Sequence, residues 1–360
     1  MQPPPVLLCT RLRGGGHLCG GGTSNVTTYF HPTSASYMQA AAASCLPGSE
    51  PASVDVQSLA APGVPITVTA FVGGTPSPGT TPVISYGYSG SFDSGVAMTD
   101  QGGGIWTADL PGATCDDQPL FYVTYIDSGC GIVTVPQNAP TDSFSVQIGV
   151  VSELESDDLE SDTGWTAGDP SDTASTGQWE RVDPIGTDAQ PGDDHTSGGS
   201  MCFVTGQGSS GGSVGENDVD GGYTTLLSPI LDLSLTSDPV ISYWRWYSND
   251  SGASPNDDVL EIDISANGGS TWTSVEQVGP TGSETSGGWI QHSFQPSSFI
   301  SLTSNVRMRF RASDLGSGSI VEAAIDDFEV SELVCANCGG ANYCAISPNS
   351  AEVMAKVWGW

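Results

Sequence analysis

The chain has 360 residues, of which 41 are acidic and 8 are basic, so its formal net charge at pH 7 is −33. This charge argues against nucleic acid and anionic membrane surfaces as partners, because both bind basic surfaces, and it offers many oxygen ligands to divalent cations. The 47 glycines and 24 prolines indicate a loop-rich, all-β protein, and the length favours at least two domains.

Nine cysteines stand among short predicted strands and Gly/Ser-rich loops, a pattern typical of secreted proteins from oxidising compartments. Their odd number leaves one thiol free or paired with another chain. No stretch is long and apolar enough to span a bilayer, and residues 1–16 lack the apolar core of an export signal. We therefore expect a secreted, extracellular monomer, not inserted in a membrane, whose export signal is missing from this chain.

Residues 1–48 differ in composition from the rest and contain the one predicted helix, at 34–44, with the alanine-rich sequence SASYMQAAAAS. The stretch 17–47 resembles the end of the catalytic domain of metzincin zinc proteases of the adamalysin kind, where a last loop leads to a helix and a cysteine, here Cys45. The resemblance implies that residues 1–48 are the remnant of such a domain. Its zinc-binding helix would lie upstream, so zinc belongs to the missing part and no catalytic residue is assigned.

Between residues 51 and 149, apolar and polar residues alternate in four segments separated by glycine, proline and aspartate: VPITVTAF, TPVISYGYS, GIWTADL and PLFYVTYID. Short alternating segments with turns between them predict a β-sandwich of the immunoglobulin or fibronectin type over 51–149. Cys115 and Cys130 flank the last segment, and we predict a structural disulfide between them. Nothing in this region indicates a catalytic or metal site.

Residues 152–331 carry further segments with a two-residue period, at 240–247, 259–265, 289–294 and 306–311. Apolar side chains occupy alternate positions of 259–265. This predicts a sheet that is buried on one side only.

Two groups of side chains in these segments allow both a structural and a functional interpretation. Arg307, Arg309 and Arg311 share one face of a strand and are expected to pair with acids on neighbouring strands, whereas a clamp on an anionic sugar is the alternative. Trp244 and Trp246 share one face of another strand. Packing in the core is the expectation for them, and stacking on sugar rings is the alternative.

Four motifs occur in order in the region 152–331: DDLESDTGW, PGDDHTSGG, YTTLLSPILDL and EAAIDDFEV. Their order and spacing resemble the MAM family of jelly-roll domains. The matching residues are Leu159, Glu160, Gly164, Trp165, Asp194, His195, Thr196, Leu227, Ser228, Pro229, Ile325, Asp326 and Asp327. The resemblance implies a second β-sandwich that binds a partner rather than catalysing a reaction. Residues 332–360 are interpreted as the truncated start of a further domain.

The last motif also motivates a metal hypothesis. Asp326 is in phase with Phe328, which predicts that its carboxylate points toward the core, where a charge needs a cation or hydrogen bonds. Jelly-roll modules often hold a structural calcium ion where the first and last strands meet. We therefore expect Ca²⁺ ligands from Glu160 and Asp326, completed by Asp194, Asp327 or backbone carbonyls. The alternative is a solvated pair of acids without a metal.

Other signatures of metal binding or catalysis are weak. The loop 216–221, ENDVDG, spaces its acids as a calcium loop does, but Leu227 stands where the closing glutamate belongs, so we expect a flexible acidic loop. GSSGG around Ser210 matches a nucleophile elbow, a match that a chain rich in glycine and serine produces by chance. The four histidines form no H-E-x-x-H motif, and Cys335 and Cys338 lack a second pair for zinc.

These observations lead to a functional hypothesis. The chain is interpreted as the non-catalytic C-terminal accessory region of a secreted bacterial zinc metalloprotease, in which the MAM-like domain binds an extracellular protein or polysaccharide. The alternative is a stand-alone extracellular adhesion or structural surface protein. A polysaccharide-active enzyme is a third interpretation, which requires two facing carboxylates in a groove.

Overall fold

The computed structural model describes residues 52–73, 76–129, 131–316 and 318–335, and the backbone of three short strands before them. Strands joined by turns make up this part of the chain, with one 3-10 helix at Pro296–Ser298, and the predicted all-β class is confirmed. The chain divides into two compact units, residues 1–150 with 334–360 and residues 151–333. No helix in the described part has both the length and the hydropathy needed to cross a membrane.

In chain order, the strands described in the first unit are Cys9–Arg11 (β1), His17–Cys19 (β2), Tyr37–Ala41 (β3), Ser53–Gln57 (β4), Leu59–Ala60 (β5), Ile66–Phe71 (β6), Val83–Gly87 (β7), Ser94–Ala97 (β8), Thr99–Gly102 (β9), Ile105–Leu110 (β10), Leu120–Asp127 (β11), Gly131–Val135 (β12), Phe144–Ser145 (β13) and Gln147–Ile148 (β14). One sheet has the order β3-β4-β6-β10-β9, and another has the order β12-β11-β7-β8 with β13 beside β11. Alternate residues of both sheets, such as Val68 and Phe121, are buried in a shared core, as the alternation in the sequence predicts for a sandwich.

The helix predicted at 34–44 is wrong over the residues that the structure describes there. Tyr37–Ala41 forms β3, which pairs with β4 so that Met38 lies opposite Val56. A lone short helix is marginal without packing partners, whereas pairing with β4 satisfies the backbone within a five-stranded sheet. The remainder of the predicted helix, and most of the metzincin-like stretch 17–47, lies outside the described residues.

The predicted disulfide between Cys115 and Cys130 is also wrong. Cys115 is bonded to Cys335, and their Cα atoms are 5.5 Å apart although 220 residues separate them in sequence. The chain returns to the first unit at Val334, which brings Cys335 beside Cys115. Disulfide pairing follows proximity in space rather than in sequence. Cys130 lies outside the described residues.

In chain order, the strands of the second unit are Val150–Asp157 (β15), Thr166–Ala167 (β16), Trp179–Val182 (β17), Cys202–Thr205 (β18), Gly222–Leu227 (β19), Pro239–Gly252 (β20), Leu260–Ser265 (β21), Thr273–Val278 (β22), Ile290–Phe294 (β23), Arg307–Asp314 (β24) and Ser319–Val334 (β25). The six-stranded sheet has the order β17-β18-β25-β20-β23 with β15 beside β25, and the five-stranded sheet has the order β16-β19-β24-β21-β22. The first and last strands of this unit are therefore neighbours. The four strands predicted in this region are confirmed as β20, β21, β23 and β24.

The inner faces of these two sheets share one core. Leu260, Ile262 and Ile264 of β21 are fully buried, which confirms the predicted one-sided burial of this strand. Tyr243 and Tyr247 of β20 contribute to the same core from the other sheet. Because neighbouring residues of a strand point to opposite faces, the even-numbered residues of this part of β20 face outward.

A bulge in β25 decides on which side of the sheet Asp326 lies. Ile325 and Phe328 both belong to the core although an odd number of positions separates them, and the register with β20 shifts at this point. Asp327, between them, has a positive φ of 43°. Asp326 lies opposite Trp244 and therefore faces away from the core. Its predicted orientation toward the core is wrong, because the extra residue reverses the alternation.

Candidate functional site

The outer face of the six-stranded sheet carries a group of partly exposed aromatic side chains. Trp244 and Trp246 of β20, Trp289 just before β23, and His195 form this group, which we call the aromatic face. The ring of His195 stacks on Trp244 with centroids 3.6 Å apart, and Trp289 meets Trp246 edge-on at 6.1 Å. The expectation that both β20 tryptophans pack in the core is wrong, since the tyrosines of β20 fill the core instead.

The loop between β17 and β18 is joined to the aromatic face by hydrogen bonds. The indole nitrogen of Trp246 donates to the carbonyl of Ala189 at 2.7 Å, and that of Trp289 donates to the carbonyl of Asp193 at 3.3 Å. A small apolar cluster also packs against both indoles; it consists of Cys202, Val204 and Ala324. These contacts hold the indole planes in place before any ligand arrives.

Asp326 and Asp327 anchor the same loop to β25. Oδ2 of the fully buried Asp326 accepts hydrogen bonds from the backbone N–H groups of His195 at 2.7 Å and Thr196 at 3.2 Å. Asp327 accepts a hydrogen bond from the Thr196 hydroxyl at 2.7 Å, and its Oδ2 lies 2.6 Å from Nδ1 of His195. Burial raises the pKa of Asp326 to about 7, although the backbone donors oppose the shift.

Glu160 and Asp194 lie against the other end of this loop. Oε1 of Glu160 accepts hydrogen bonds from the backbone N–H groups of Ser200 and Met201, each at 2.8 Å, and these donors lower the pKa of Glu160. Oδ2 of Asp194 is buried without a hydrogen-bond partner. Burial, together with the charge of Glu160, raises the pKa of Asp194 to about 6.

Gly199 lies close to the carboxylates of both Asp194 and Glu160. A Cβ added at Gly199 would lie 2.4 Å from Oδ2 of Asp194 and 2.4 Å from Oε1 of Glu160. The carboxylate oxygens of Asp194 and Glu160 therefore both lie next to Gly199. The unpartnered oxygen of Asp194 beside a second carboxylate is an arrangement that a cation would satisfy.

The four residues predicted as calcium ligands are thus gathered around residues 193–201, in two pairs. Asp326, Asp327 and Glu160 are engaged as hydrogen-bond acceptors, whereas Oδ2 of Asp194 has no hydrogen-bond partner. Within the described ranges, no group of three or more His, Cys, Asp or Glu side chains is arranged to hold a metal ion. Calcium binding here stays a prediction.

The acidic loop 216–221 makes hydrogen bonds within the second unit and is buried in part. Glu216 accepts hydrogen bonds from the backbone N–H of Ser209 at 3.0 Å and from its hydroxyl at 2.7 Å. Asp218 is buried, and this burial raises its pKa to about 6. Asp218 is therefore held inside the unit, whereas Asp220 is exposed.

Two of the three arginines of β24 pair with acids of β21, as expected, whereas Arg307 donates to the carbonyl of Ser228 at 2.8 Å. Arg309 contacts Asp263 at 2.7 Å, and Arg311 forms an ion pair with Glu261. Each guanidinium also lies over an aromatic ring, that of Arg309 over Trp272 at 4.5 Å to the centroid. Since these guanidinium groups are engaged within the protein, the alternative of a clamp on an anionic sugar loses its support.

A buried ionic cluster between the sheets was missed from the sequence. Arg245 contacts Glu276 at 2.6 Å and also pairs with Glu284, while the hydroxyl of Tyr243 donates to Glu276 at 2.9 Å. Burial would raise the pKa of Glu276, but hydrogen bonds from His292 and Arg245 lower it to about 2. The sequence contained a signal for this cluster, because Arg245 lies two residues from each of the core tyrosines Tyr243 and Tyr247. Its side chain must therefore project from the inner face of β20.

Comparisons with known proteins give no family for this chain. No family model matches it, and no curated protein matches it. Among solved structures, it is similar to the K1 cleaved adhesin domain of Lys-gingipain from Porphyromonas gingivalis W83, with 18% identity over 51% of this chain and 98% of that chain at a TM-score of 0.29. A carbohydrate-binding module of the β-sandwich superfamily shares 10% identity over 75% of this chain and 94% of that chain, at a TM-score of 0.36.

A third similar structure is an enzyme, a Stig cyclase from Fischerella sp. TAU. It shares 13% identity over 52% of this chain and 90% of that chain, at a TM-score of 0.30. At these TM-scores the likeness identifies neither a family nor a function. The functional conclusion therefore depends on the geometry of the chain itself.

Proposed function

We propose that the second unit, residues 151–333, is a non-catalytic module that binds a polysaccharide through the aromatic face. The observation that carries the proposal is the position of Trp244, Trp289 and His195, which are partly exposed on the outside of a β-sandwich instead of filling its core. Flat aromatic rings offer a large apolar area at little conformational cost. Sugar rings present flat C–H faces that stack on such rings.

Polar side chains border the aromatic face and supply partners for sugar hydroxyls. Gln291 of β23 lies opposite Trp244, and opposite residues of an antiparallel pair project to the same face. The side chains of Asp327 and His195, which are 29% and 28% exposed, also border the aromatic face. Apolar surface with a few fixed polar groups is the usual composition of a small-ligand site.

The charge of the chain restricts the polysaccharide to an uncharged one. A formal net charge of −33 repels uronic acids and sulfated sugars. The guanidinium groups of Arg245, Arg309 and Arg311 form ion pairs with neighbouring acids and do not offset this repulsion. We therefore expect neutral polysaccharides to be retained and acidic ones to be excluded.

We also propose that Ca²⁺ binds between Glu160 and Asp194. The support is the buried, unpartnered Oδ2 of Asp194 next to the carboxylate of Glu160. Carboxylate oxygens are ligands that Ca²⁺ prefers. Bound there, the ion would stabilise the loop that supports the indoles of the aromatic face, a role separate from contact with the sugar.

Two further proposals, a protease parent and secretion, concern the whole protein. A zinc metalloprotease parent, for which this chain would be an accessory region, is supported by the metzincin resemblance of residues 17–47 alone. Secretion is supported by the disulfide between Cys115 and Cys335, because disulfides persist in oxidising compartments. The second candidate is a stand-alone extracellular adhesion protein whose aromatic face contacts a protein surface.

Affinity electrophoresis in gels that contain neutral polysaccharides tests the proposed function. We expect retardation of the wild-type chain by at least one of them, and a loss of roughly tenfold or more in affinity for Trp289→Ala and Trp244→Ala. Trp272→Ala is the matched control, because Trp272 is partly exposed but lies under Arg309 on the other sheet. Equal retardation of all variants, or binding to immobilised proteins only, would overturn the proposal.

A further inference from the structure

A second group of oxygen-bearing side chains lies in the second unit, apart from the aromatic face. Tyr247 and Asn249 belong to β20, Asp258 precedes β21 and Asp314 ends β24. All four residues are buried, with 5% exposure or less. We call this group the Asn249 cluster.

Three oxygen atoms of the Asn249 cluster are buried without any hydrogen-bond partner. They are the hydroxyl of Tyr247, Oδ1 of Asn249 and Oδ2 of Asp258. A buried polar atom that lacks a partner costs about 1–3 kcal/mol, so native proteins leave few of them. Three such atoms in one cluster indicate that a species binds there.

The remaining atoms of these side chains fix where the unpartnered oxygens lie. Nδ2 of Asn249 donates to the carbonyl of Asp258 at 2.7 Å and to that of Pro280 at 3.2 Å. Oδ1 of Asp258 accepts a hydrogen bond from the backbone N–H of Leu315 at 3.0 Å, directly after Asp314 in the chain. The amide of Asn249 therefore cannot turn its oxygen away without losing two hydrogen bonds.

A close approach at Gly279 joins Tyr247 to the same cluster. A Cβ added at Gly279 would lie 2.7 Å from the carbonyl oxygen of Asp258 and 3.2 Å from Cε1 of Tyr247. The phenol ring and the backbone of Asp258 thus flank one glycine. Burial raises the pKa of the Tyr247 phenol, and the nearby charge of Asp258 raises it further.

The charges of the cluster are not balanced by basic groups. None of the ion pairs formed by the described residues includes Asp258 or Asp314. Asp314 directly precedes Leu315, whose backbone N–H donates to Oδ1 of Asp258, and its own Oδ1 accepts a long hydrogen bond from the backbone N–H of Gly316 at 3.4 Å. Buried carboxylates of like charge need a neutralising partner.

We propose that the Asn249 cluster binds a hard divalent cation, Ca²⁺, through Oδ2 of Asp258, Oδ1 of Asn249 and the carboxylate of Asp314. Carboxylate and amide oxygens are the ligands that Ca²⁺ prefers, and the ion neutralises both acids at once. A water molecule would satisfy the three unpartnered atoms but would leave two buried negative charges. The proposal is independent of sugar binding and of the site at Glu160 and Asp194.

Calorimetric calcium titration of the full chain tests this site. We expect Asp258→Asn to remove one equivalent of bound Ca²⁺, because asparagine keeps the acceptor for the N–H of Leu315 but loses the charge. Asp314→Asn should do the same, which keeps the test decisive if one variant does not fold. Asp257→Asn is the matched control, since Asp257 is exposed and the change in charge is identical.

Salt at about 150 mM screens weak binding to the acidic surface, and terbium gives an independent readout. We expect terbium emission excited through tyrosine in the wild-type chain, and at least roughly tenfold less in Tyr247→Phe at equal occupancy. A calcium stoichiometry unchanged by both Asp258→Asn and Asp314→Asn would overturn the proposal. A crystal structure grown with calcium that shows only an ordered water in the cluster would overturn it as well.

Discussion

The imidazole of His195 stacks on the indole of Trp244 with ring centroids 3.6 Å apart and planes inclined by 17°. His195 belongs to the loop between β17 and β18, and Trp244 belongs to β20, so this stack joins the loop to the sheet. The backbone N–H of His195 is at the same time held by Asp326. The loop conformation and the aromatic face are therefore one structural unit.

Because of this stack, replacing His195 should weaken polysaccharide binding without unfolding the protein. We expect His195→Ala to lower the affinity roughly tenfold, about 1.4 kcal/mol, since Trp244 loses the ring that fixes it. His195→Phe keeps the stacked ring but not the contact with Asp327, and should retain most of the affinity. Affinity electrophoresis measures both. Equal losses for the two variants would show that the stack does not matter.

Glu322 should make the second unit less stable at high pH. Burial raises its pKa to about 9, whereas an unfolded glutamate has a pKa of about 4.3. Between these values the folded state binds more protons, so the free energy of unfolding falls as pH rises. We expect the melting temperature to fall between about pH 5 and about pH 9, and Glu322→Gln to flatten this dependence.

Glu329→Gln is the control for this pH prediction, because Glu329 lies on the same strand but is partly exposed. It should leave the slope of melting temperature against pH unchanged. The raised pKa values of Asp326 and Asp194 act in the same direction as that of Glu322. A melting temperature that rises steadily with pH would contradict the assignment.

Glu276 should contribute more to stability than Glu284, although both pair with Arg245. Glu276→Gln leaves a buried guanidinium short of its charge partner, and we expect a loss of about 3–5 kcal/mol in the free energy of unfolding. The side chain of Glu284 is 45% exposed, so Glu284→Gln should cost about 1 kcal/mol or less. Urea denaturation followed by tryptophan fluorescence compares the variants, and equal losses would be inconsistent with this burial difference.

The contribution of Glu276 also has a pH window. Its pKa is lowered to about 2, below the unfolded value of about 4.3. The stabilisation is therefore complete above about pH 4.3 and is lost as pH falls toward about 2. Glu276→Gln should remove this part of the acid denaturation profile.

Loss of the disulfide between Cys115 and Cys335 should destabilise the first unit only. We expect Cys115→Ser to cost about 2–5 kcal/mol in the free energy of unfolding of this unit. Calorimetry should show one lowered transition and one unchanged transition, the latter from the second unit. Reductant should lower the wild-type transition as well. A shift of both transitions would contradict the confinement of the disulfide to the first unit.

Calcium at Glu160 and Asp194 should be visible in the melting temperature of the second unit. Chelator should lower it in the wild type, and Asp194→Asn should reduce that response, with the remainder coming from calcium at the Asn249 cluster. Asp162→Asn, a change of an exposed acid in the same region, is the control. A melting temperature that does not respond to chelator in the wild type would refute calcium at this site and at the Asn249 cluster together.

The sequence by itself determined the all-β class, four strands of the second unit and the pairing of Arg309 and Arg311 with acids. Apolar residues at every second position of β21 and β24 place one face of each strand in the core. This alternation is visible in the local sequence. Arg309 and Asp263 stand on the opposite face of paired strands, so their charges meet once the strands pair. Such features follow from local alternation and need no knowledge of distant contacts.

Only the tertiary structure decided which side of each sheet the key side chains occupy and which distant residues meet. One extra residue at Asp327 reverses the alternation of β25 and turns Asp326 outward, and no local pattern marks a bulge. The pairing of Cys115 with Cys335 and the gathering of Asn249, Asp258 and Asp314 depend on how strands far apart in sequence pack. A two-residue period predicts a buried face but does not specify the partner that lies against it.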